Sequence, residues 1–499
     1  MKRMIALYRG MTMYQIVLYS LVLIIIAAFI TSGLGVLGFT PLSLLVSLLV
    51  IVLTSFGSHK ILVRMFGSAP SIESWMITAL ILFLILKPAQ TKSDYAVLLL
   101  GSLLAVTSKY LITFRRHHLF NPVAFALVVL GLLGSGNVYW WVGSIYLFPL
   151  VTILGFIIVR RLQLTMTTSI FLLSALIAYL ASRGLSTETL KVAIISGPIV
   201  FFAVFMLTEP QTAPHRHKMR LVYAVLVGLL YGIPFALPPL VSTPELALLI
   251  GNIFAFLVNS NQQTVMTFTG FSVQAKGIYE FSFLPKKHLK FMPGQYIEWT
   301  LPHTETDIRG DRRFFTIASS PTEPSAKLVV RIDQHHSSSF KRALLVLKPG
   351  SKIWVSQLSG EFILPTDTTK KLVFIAGGIG ITPFRSMVQN LIDTNKKRDI
   401  TLYYAAQTAD GFSYADLFKS AENNGVKTFC TITGSDVPSD WPGRTGRVRI
   451  TDIQREVERY KNAVYYLSGP NAMVAGYKRQ LIKSGVRRTS IKTDYFPGF

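Results

Sequence analysis

The segment RRFFTIASSP spaces an arginine, an aromatic residue and a hydroxyl along one predicted β-strand. Arg313 carries a planar fork of donors that can clamp a pyrophosphate. Phe315 can stack on a planar ring such as a flavin. The hydroxyl of Thr316, with Ser319 three residues further on, can hydrogen-bond the reactive nitrogen of such a ring. Strands alternate in this way without a ligand too, so the segment indicates a cofactor clamp only together with other motifs.

The segment IAGGIGITPFRSM ends a hydrophobic strand in Gly377, Gly378 and Gly380. Glycine lets the backbone approach a ligand closely, and the N-terminus of a helix favours a phosphate group. Thr382 and Pro383 predict where that helix begins, because proline is favoured in the first helical turn. A plain strand–helix turn would not demand three glycines, so the pattern favours a phosphate-binding loop.

The segment YYLSGPNAMV carries a strand into Ser468, Gly469 and Pro470, followed by a helix that contains Met473. By itself this arrangement is ordinary. The three segments in this order, over about 150 residues, form a highly specific combination.

Two predicted folds position these segments. Over 265–366, short strands with period-two alternation are separated by turn signals such as Pro293-Gly294, which indicates a small antiparallel β-barrel. Over 371–499, strands alternate with helices, which indicates a parallel, doubly wound α/β sheet. The first segment therefore lies in the barrel, and the other two lie in the α/β domain.

The composition differs between the two halves of the 499-residue chain. Residues 1–264 hold 22 charged side chains, whereas residues 265–499 hold 53. A soluble domain has about 25% charged residues, so only the second half has an ordinary soluble composition. The net charge of +25 divides almost equally between the halves, which argues against one basic surface for nucleic acid. For the first half, basic loops facing anionic lipid are the simpler explanation.

The first half is predicted to be a polytopic α-helical membrane domain covering residues 1–260. A span needs about 17–25 mainly apolar residues. Ten such runs are predicted: 13–33, 41–57, 72–88, 95–113, 121–136, 138–159, 164–182, 190–208, 219–240 and 244–259. Thirteen lysines and arginines fall in one set of loops and four in the other. This asymmetry predicts a multi-pass protein of the cell membrane whose termini and second half are cytoplasmic.

An internal repeat is predicted within the membrane half. Pro88 precedes Pro210 by 122 residues, and Pro122 precedes Pro244 by the same number. Five spans per copy give the two copies opposite orientations, and such inverted repeats commonly place a binding site near the membrane midplane. Prolines often flank spans, so coincidence is the alternative explanation.

No metal site is predicted. The single cysteine, Cys430, excludes a disulfide framework, a cysteine-ligated zinc ion and an iron–sulfur cluster. Haem b would need paired histidines inside spans. The N-terminal histidines instead fall in predicted cytoplasmic-side loops, where we expect interfacial solvation; they are His59, His117, His118, His215 and His217. Intramembrane carboxylates are nearly absent, and the exception, Glu209 in FMLTEPQTAP, is either a functional residue or a solvated cap.

Residues 265–499 resemble the ferredoxin–NAD(P) reductase family, in which an FAD-binding FR-type barrel precedes a nicotinamide domain. The three segments carry the resemblance, which covers the whole second half. It implies that FAD is bound through Arg313, Phe315, Thr316, Ser319, Ser338, Ser339, Gly360 and Phe362, with His336 in the same run. It implies that NAD(P)H is bound through Gly377, Gly378, Gly380, Thr382, Pro383, Gly469, Pro470 and Met473.

The same resemblance suggests which residues act at the reacting rings. Ser468 stands where the family usually has a cysteine beside the nicotinamide, and this replacement is expected to slow hydride transfer without abolishing it. Thr316 is the second candidate catalytic residue. In the tail TDYFPGF, Phe496 and Phe499 are candidate covers for the flavin, with ordinary packing as the alternative.

NADH is favoured over NADPH. A 2′-phosphate requires an arginine after the second strand of the nicotinamide domain. That position reads AAQTADGFSYADLF, which contains Asp410 and no basic residue. Arg444, Arg447 and Arg449 further along keep NADPH open.

The first half resembles, more loosely, the flavin-carrying membrane subunits of the sodium-pumping NADH:quinone reductase (Nqr) and Rnf complexes. RRHHLFNPVAFALVVLG and FMLTEPQTAPHRHK carry this resemblance. That family attaches FMN to a threonine in a Ser-Gly-Ala-Thr sequence, which is missing here. STET keeps only the first and last residues, Ser186 and Thr189, so we expect no covalent FMN, and bound FMN is left open.

Together these resemblances imply a membrane-bound flavin-dependent NAD(P)H oxidoreductase. Electrons would pass from cytoplasmic NADH through FAD into the membrane domain and on to a quinone or an extracytoplasmic acceptor. Its partners would be the nicotinamide dinucleotide, the acceptor and the lipid bilayer. The alternatives are a redox-linked ion or solute transporter, and a reductase merely anchored in the membrane with a soluble acceptor. Scarce intramembrane charge weighs against the first alternative and ten spans against the second.

Overall fold

The computed structural model describes residues 11–66, 72–114, 117–135, 138–196, 198–237, 240–259, 263–303, 306–307, 309–333 and 337–494. The chain divides into two compact units. One is formed mainly by residues 1–261 and the other mainly by the residues that follow.

The first unit is helical. Its helices are α1 (Met13–Gly33), α2 (Pro41–Phe66), α3 (Ile72–Ile85), α4 (Lys92–Leu111), α5 (Pro122–Leu132), α6 (Phe148–Arg161), α7 (Thr165–Arg183), α8 (Thr187–Lys191), α9 (Ile199–Phe201), α10 (His217–Gly232) and α11 (Pro244–Asn259). Two π-helical turns, Val192–Ser196 and Phe202–Met206, extend α8 and α9. Two short hairpins precede α5 and α11: β1 (Thr113–Phe114) with β2 (His117–His118), and β3 (Ala236–Leu237) with β4 (Leu240–Val241).

Local sequence explains where several helices begin. Thr91 and Asp94 form a capping box at α4, in which each side chain accepts from the backbone N–H of the other. Asn121 caps α5 through its side chain, and Pro122 occupies the first turn, where its missing N–H costs nothing. Pro122, one of the four repeated prolines, therefore lies where a helix begins, as its position at the start of a predicted span indicates.

Four helices, α1, α2, α4 and α7, are long and apolar enough to cross a membrane. A fifth candidate is the pair Thr187–Ile195 and Ile199–Met206, which is bent by 42° where the sequence predicts one run over 190–208. Helices α3, α5 and α11 are apolar but shorter. Helix α5 has 11 residues and extends about 17 Å, roughly half of the ~30 Å hydrocarbon thickness. By length, the described helices thus provide four to five spans, fewer than the ten predicted.

The predicted run 138–159 is helical only from Phe148. The preceding residues fold back onto the end of α3, where the indole N–H of Trp141 donates to the carbonyl oxygens of Phe83 (2.8 Å) and Leu86 (3.1 Å). Hydrophobicity alone did not distinguish this packed loop from a helix.

Exposed apolar side chains cover the outer faces of α2 and α7. Leu53 on α2 is 64% exposed and Leu173 on α7 is 61% exposed. Soluble monomers rarely expose continuous apolar surface of more than a few hundred Å². These faces are therefore suited to contact with lipid.

The second unit begins with a curled antiparallel sheet. Its strands are β5 (Thr264–Ala275), β6 (Ile278–Pro285), β7 (Tyr296–Thr300), β8 (Arg312–Thr316), β9 (Ala326–Arg331) and β10 (Lys352–Ser359). They are ordered β8-β7-β10-β5-β6-β9, and all neighbours are antiparallel. Helix α12 (Ser339–Leu345) lies between β9 and β10 in the chain. The strands predicted over 265–366 are thus present as an antiparallel sheet.

A parallel sheet follows. Its strands are β11 (Leu372–Gly377), β12 (Ile400–Ala406), β13 (Val426–Ile432), β14 (Arg444–Thr445), β15 (Val464–Ser468) and β16 (Ile491–Thr493). The order β14-β13-β12-β11-β15-β16 is parallel throughout. Its helices are α13 (Thr382–Asp393), α14 (Ala415–Ser420), α15 (Ile450–Glu456) and α16 (Asn471–Lys483). The central strand β11 is buried throughout, which its unbroken hydrophobic run predicts.

Candidate functional site

An ion pair fixes the arginine of the first motif. Arg313 lies buried on β8 and donates from its guanidinium to Oδ1 of Asp307 at 2.6 Å. The backbone N–H of Asp307 donates to Oγ of Ser339 at 2.9 Å. Ser338 caps the first turn of α12 by accepting from the N–H of Lys341. The structure thus brings Arg313, Ser338 and Ser339 together, and these groups fit a pyrophosphate.

The predicted ring contacts surround Tyr296. Thr316 pairs with Tyr296 across the β7–β8 ladder. A Cβ on Gly360 would lie 3.1 Å from the Tyr296 ring, so glycine allows close packing there. The Phe315 ring lies 5.7 Å from that of Phe340 on α12. The Phe340 ring also lies 5.7 Å from the Arg313 guanidinium, so it connects Phe315 with the Arg313 cluster.

Two residues that are predicted to contact the flavin are in contact with other residues of the protein. Ser319 is buried, and its Oγ accepts from the N–H of Lys327 at 3.2 Å. The ring of Phe362 packs between Phe384 and Tyr466, at centroid distances of 5.7 and 5.1 Å. Both side chains are therefore engaged in the fold, a placement that motif matching does not reveal.

The second and third motifs meet at the carboxyl ends of the neighbouring parallel strands β11 and β15. A Cβ on Gly380 would overlap the backbone of Ser468, and one on Gly377 would lie 2.6 Å from Sδ of Met473. Gly378 has a φ of 53°, in the left-handed region that favours glycine. Sheets of this type bind ligands at the carboxyl ends of their strands, so the three glycines lie where a dinucleotide would approach.

A helix N-terminus completes this edge of the sheet. Helix α13 begins at Thr382, with Pro383 in its first turn, as the sequence predicts. On the facing loop, Pro470 precedes α16, and a Cβ on Gly469 would lie 3.1 Å from Cα of Gly377. Close backbone approach and a helix N-terminus are what the phosphates of a nicotinamide dinucleotide require. The residues present therefore fit that cofactor.

Asp494 is a residue of this edge that sequence reasoning missed. Because β16 is parallel to β15, Asp494 lies beside the end of β15, and Oγ of Ser468 donates to its Oδ2 at 3.0 Å. Burial raises the pKa of Asp494 to about 7 against the opposing effect of this hydrogen bond. An acid directly after the last strand, in TDYFPGF, was the available signal. The predicted Phe496 and Phe499, and also His336, lie outside the described residues.

A charged network joins the two sheets of the second unit. The Arg385 guanidinium on α13 donates to both carboxylate oxygens of Glu323 and to the carbonyl oxygen of Ala318 at 3.1 Å. Lys327 lies 3.2 Å from Glu323 and 3.1 Å from Glu280. Burial disfavours ionisation of Glu323, but the bonds from Arg385 hold its pKa below the usual range. Ala318 belongs to the first motif, so Arg385 links the segment that bears Arg313 to helix α13.

Two residues that could distinguish NADH from NADPH, Asp410 and Arg444, take part in hydrogen bonds within the protein. The exposed Asp410 accepts from Oγ1 of Thr408 at 2.5 Å, and this bond lowers the pKa of its carboxyl. Arg444 donates two hydrogen bonds, at 2.7 and 3.1 Å, to Glu456. The fork of Arg444 is therefore already occupied by a carboxylate.

A polar cluster lies around Glu209 in the helical unit. Nε2 of His118 is 3.0 Å from Oε1 of Glu209. Asn121 and Thr212 donate to Oε2 at 2.8 and 3.1 Å. The Asn121 N–H donates to Oδ1 of Asn252 on α11 at 2.8 Å. Both carboxylate oxygens of Glu209 thus have protein partners, which favours the functional alternative over a solvated cap.

Three of the histidines expected to be solvated at the membrane interface are buried, so the prediction is wrong for them. His59, His117 and His118 are 8%, 5% and 8% exposed. His59 contacts the hydroxyl of Tyr110 at 2.8 Å. Glu245, which sequence reasoning did not single out, is also buried and accepts from the indole of Trp140. Such partners lie far apart in sequence, so local pattern gave no sign of them.

A cavity opens beside this cluster. Lys109, at the end of α4, contributes to its wall and donates from Nζ to the carbonyl oxygen and Oγ of Ser74, at 2.8 and 2.9 Å. Glu209 lies on the same wall and interacts electrostatically with Lys109. The apolar part of the wall includes Val17, Ile77, Ile81, Leu162, Val204 and Phe205.

The STET sequence forms a helix cap. Oγ of Ser186 accepts from the N–H of Thr189 at 3.0 Å, and the two hydroxyls are 2.8 Å apart. Both residues are exposed at the start of α8. Capping accounts for this pair without a cofactor.

Two family models match the chain. Residues 130–267 match the NQR2, RnfD, RnfE family. Residues 374–479 match an oxidoreductase NAD-binding domain. The first match falls in the helical unit and continues into β5, and the second covers most of the parallel sheet. Both resemblances inferred from the motifs are confirmed.

Named relatives and solved structures are similar to part of the chain. A component of the Na(+)-translocating NADH-quinone reductase of Methylococcus capsulatus is 32% identical over 158 residues, which are 30% of this chain and 39% of that protein. The corresponding component of the Na(+)-translocating NADH-quinone reductase of Mannheimia succiniciproducens is 33% identical over 159 residues, which are 30% of this chain and 38% of that protein. The chain therefore matches less than half the length of these relatives.

The structural similarities are weaker. A cytochrome P450 reductase from Amycolatopsis has a TM-score of 0.42 and 20% identity, covering 47% of this chain and 69% of that one. The FAD/NAD-binding domain of a Vibrio cholerae nitric oxide dioxygenase has a TM-score of 0.42 and 18% identity, covering 47% and 98%. The two family models thus show that residues 130–267 are similar to the NQR2, RnfD, RnfE family and residues 374–479 to an oxidoreductase NAD-binding domain.

Proposed function

We propose that the chain is a membrane-bound, FAD-dependent NAD(P)H oxidoreductase that prefers NADH. One observation carries the proposal: the glycine loop after β11 and the Ser468 turn after β15 meet beside the N-terminus of α13. This edge suits a nicotinamide dinucleotide, and the Arg313 cluster that suits a pyrophosphate belongs to the same compact unit. The names of the two NADH-quinone reductase relatives agree with an NADH-dependent activity.

Different residues of the second unit bind the pyrophosphate and the ring of FAD. Arg313, Ser338 and Ser339 hold the FAD pyrophosphate, and Arg313 exchanges Asp307 for that anion. Phe315, Thr316 and Gly360 line the ring. When bound, FAD converts the two-electron chemistry of a nicotinamide into one-electron transfer.

The nicotinamide dinucleotide lies against the second edge. The loop Gly377–Gly380 and the start of α13 hold its phosphates, while Ser468, Gly469, Pro470 and Met473 border the nicotinamide. Asp410 accepts the ribose hydroxyls of NADH and repels a 2′-phosphate. The engagement of Arg444 by Glu456 favours the same choice.

The membrane half passes electrons to a quinone or an extracytoplasmic acceptor. We assign residues 1–260 to this half, 265–366 to the FAD-binding domain and 371–499 to the nicotinamide domain. All ten apolar runs contain helical residues, and a hairpin precedes both α5 and α11, which supports ten spans in a five-plus-five inverted repeat. The charge asymmetry of the loops supports cytoplasmic termini and a cytoplasmic reductase half. FMN bound without an ester is compatible with this arrangement.

The test is flavin analysis of the detergent-purified full chain. We expect FAD after denaturation, and rapid loss of flavin absorbance when NADH is added without oxygen. Gly380→Ala should slow this reaction at low NADH, because its Cβ would displace the Ser468 turn. Gly476→Ala is the control, since a Cβ there meets open space. A preparation without flavin, or one that NADH leaves oxidised, would refute the proposal.

Redox-linked cation transport is the second candidate. Glu209 and Glu245 are carboxylates engaged in hydrogen bonds within the helical unit, and intramembrane acids commonly serve ion pathways. The names of the relatives also refer to Na⁺ translocation. NADH-driven uptake of ²²Na⁺ or protons by proteoliposomes would support this candidate. Electron transfer with no ion movement would exclude it.

A further inference from the structure

We propose that the cavity beside Lys109 binds a redox-active ring through one of its carbonyl oxygens, with Lys109 as the hydrogen-bond donor. Quinones and the flavin ring share this chemistry. The inference rests on the proposed function, because it names where the membrane half receives electrons. It assigns a binding site to residues that none of the nicotinamide or FAD motifs includes.

The donor is Lys109. An ammonium group has three N–H donors, and Ser74 accepts two of them through its carbonyl oxygen and its hydroxyl. Among the described residues the third N–H has no hydrogen-bond acceptor, so it can donate to a ligand in the cavity. Ser74 thus fixes the ammonium at the wall, so a ligand would meet an already oriented donor.

The charge of Lys109 is balanced by Glu209. His118 contacts one carboxylate oxygen of Glu209, while Asn121 and Thr212 donate to the other. The hydroxyl of Tyr223 also interacts with Glu209. Glu209 is therefore a positioning residue: its negative charge attracts the ammonium, and its own bonds hold it in place.

The rest of the wall suits a ring. Ile77, Ile81 and Phe205 supply apolar contacts, as in most small-molecule sites, whose linings are predominantly apolar. The first turn of α5 also lines the cavity through Asn121 and Pro122, so the positive end of a helix dipole adds to the ammonium. An apolar slot with an ammonium donor and a helix N-terminus at one end favours a neutral ring whose oxygen gains electron density on reduction.

The electron balance is simple for a quinone. NADH, one proton and the quinone give NAD⁺ and the hydroquinone. The proposal adds only that the oxygen nearest Lys109 gains electron density in this reaction, and that the ammonium stabilises it there.

The test compares Lys109→Met with Lys92→Met in the full chain. Lys92 lies exposed at the other end of α4, so it controls for the loss of one positive charge. Lys109→Met should raise the KM for a short-chain quinone roughly 10- to 100-fold, the loss expected for a hydrogen bond to a charged group. Lys109→Arg should restore part of this loss. The bleaching of FAD by NADH should be unchanged in all of them.

Two further measurements separate the sources of the ring. The rise in melting temperature on adding the quinone should disappear in Lys109→Met if the ring is a quinone. If the ring is a flavin, Lys109→Met should instead lose one flavin per chain after denaturation. Lys109→Met/Glu209→Gln removes both charges and serves if the single variant does not fold.

The inference is overturned if quinone KM, quinone-induced stabilisation and flavin content are all the same in Lys109→Met and Lys92→Met. That result would leave NADH-dependent bleaching intact, so the proposed function would stand. Conversely, if NADH failed to bleach the wild-type flavin, the quinone-induced stabilisation would still test the cavity.

Discussion

Replacing Asp494 by asparagine should stabilise the protein at alkaline pH and leave its stability almost unchanged in acid. The carboxyl of Asp494 has a pKa of about 7 in the folded chain, against about 3.9 in an unfolded chain. Between these values the folded chain keeps a proton that the unfolded chain has released. The contribution of this carboxyl to the free energy of unfolding is therefore fully present below about pH 4 and is lost as the pH rises through 7.

The size of the effect follows from this difference. About 3 pKa units correspond to roughly 4 kcal/mol at 1.36 kcal/mol per unit. Asp494 is partly exposed, and screening by water lowers this to about 2 kcal/mol. In a unit of this size 1 kcal/mol shifts the melting temperature by about 2–4 °C. Asp494→Asn should therefore melt about 4–8 °C higher than wild type at about pH 8.5.

The assay is thermal unfolding of the full chain in detergent, followed by tryptophan fluorescence at several pH values. The difference in melting temperature should grow steadily between about pH 4 and pH 8. Asp440→Asn, which alters an exposed carboxyl of the same unit, should show no such growth. Asparagine can still accept the bond from Ser468, so a constant difference across pH, or destabilisation at pH 8.5, would refute the reasoning.

Three further predictions concern the soluble half. Gly380→Ala should lower the free energy of unfolding by about 1–3 kcal/mol in chemical denaturation and raise the KM for NADH in steady-state kinetics. The control Gly476→Ala should leave the free energy of unfolding unchanged or raise it slightly. Arg313→Lys keeps the charge but loses the planar fork, so equilibrium dialysis should give a roughly 10-fold higher Kd for FAD; an unchanged Kd would contradict the assignment. Arg385→Met should lower the free energy of unfolding by about 3 kcal/mol by removing the main partner of Glu323, and Arg385→Met/Glu323→Gln should recover most of it; equal losses in both variants would argue against the ion pair.

The fold of the soluble half was largely predictable because each of its signals is local. Three glycines followed by Thr382 and Pro383 determine a strand, a tight turn and a helix start within a dozen residues. Strand alternation indicated five extended segments, and the first of them, over residues 264–283, forms two strands of the antiparallel sheet. The short strands β14 and β16 escaped prediction, since two or three residues carry no periodicity.

The membrane half was less predictable because hydrophobicity measures composition and not conformation. The run 138–159 is as apolar as its neighbours, yet its first part is a loop held by Trp141. The run 190–208 is apolar throughout, yet it bends near Pro198, which cannot donate a backbone hydrogen bond. Such departures depend on tertiary contacts and on single residues, which a window average removes.

The site was predictable where one segment supplies it and hidden where several do. Arg313, Gly377 and Gly380 follow from motifs. Asp494 depends on the pairing of β15 with β16, which is a property of the sheet order. The bonds of Glu209 to His118 depend on contacts between segments 91 residues apart.

Lys109 illustrates what a count of charges leaves out. Among the basic loop residues it counts as one more positive charge on the side predicted to be cytoplasmic, and any basic residue nearby would serve that purpose equally well. In the structure its ammonium is fixed by Ser74 and lines a cavity that Glu209 also lines. These two roles make different demands, because orientation needs only charge, whereas a donor to a bound ring needs this position and this length of side chain. Lys109→Arg therefore separates them: membrane orientation should be fully preserved, and affinity for the ring only in part.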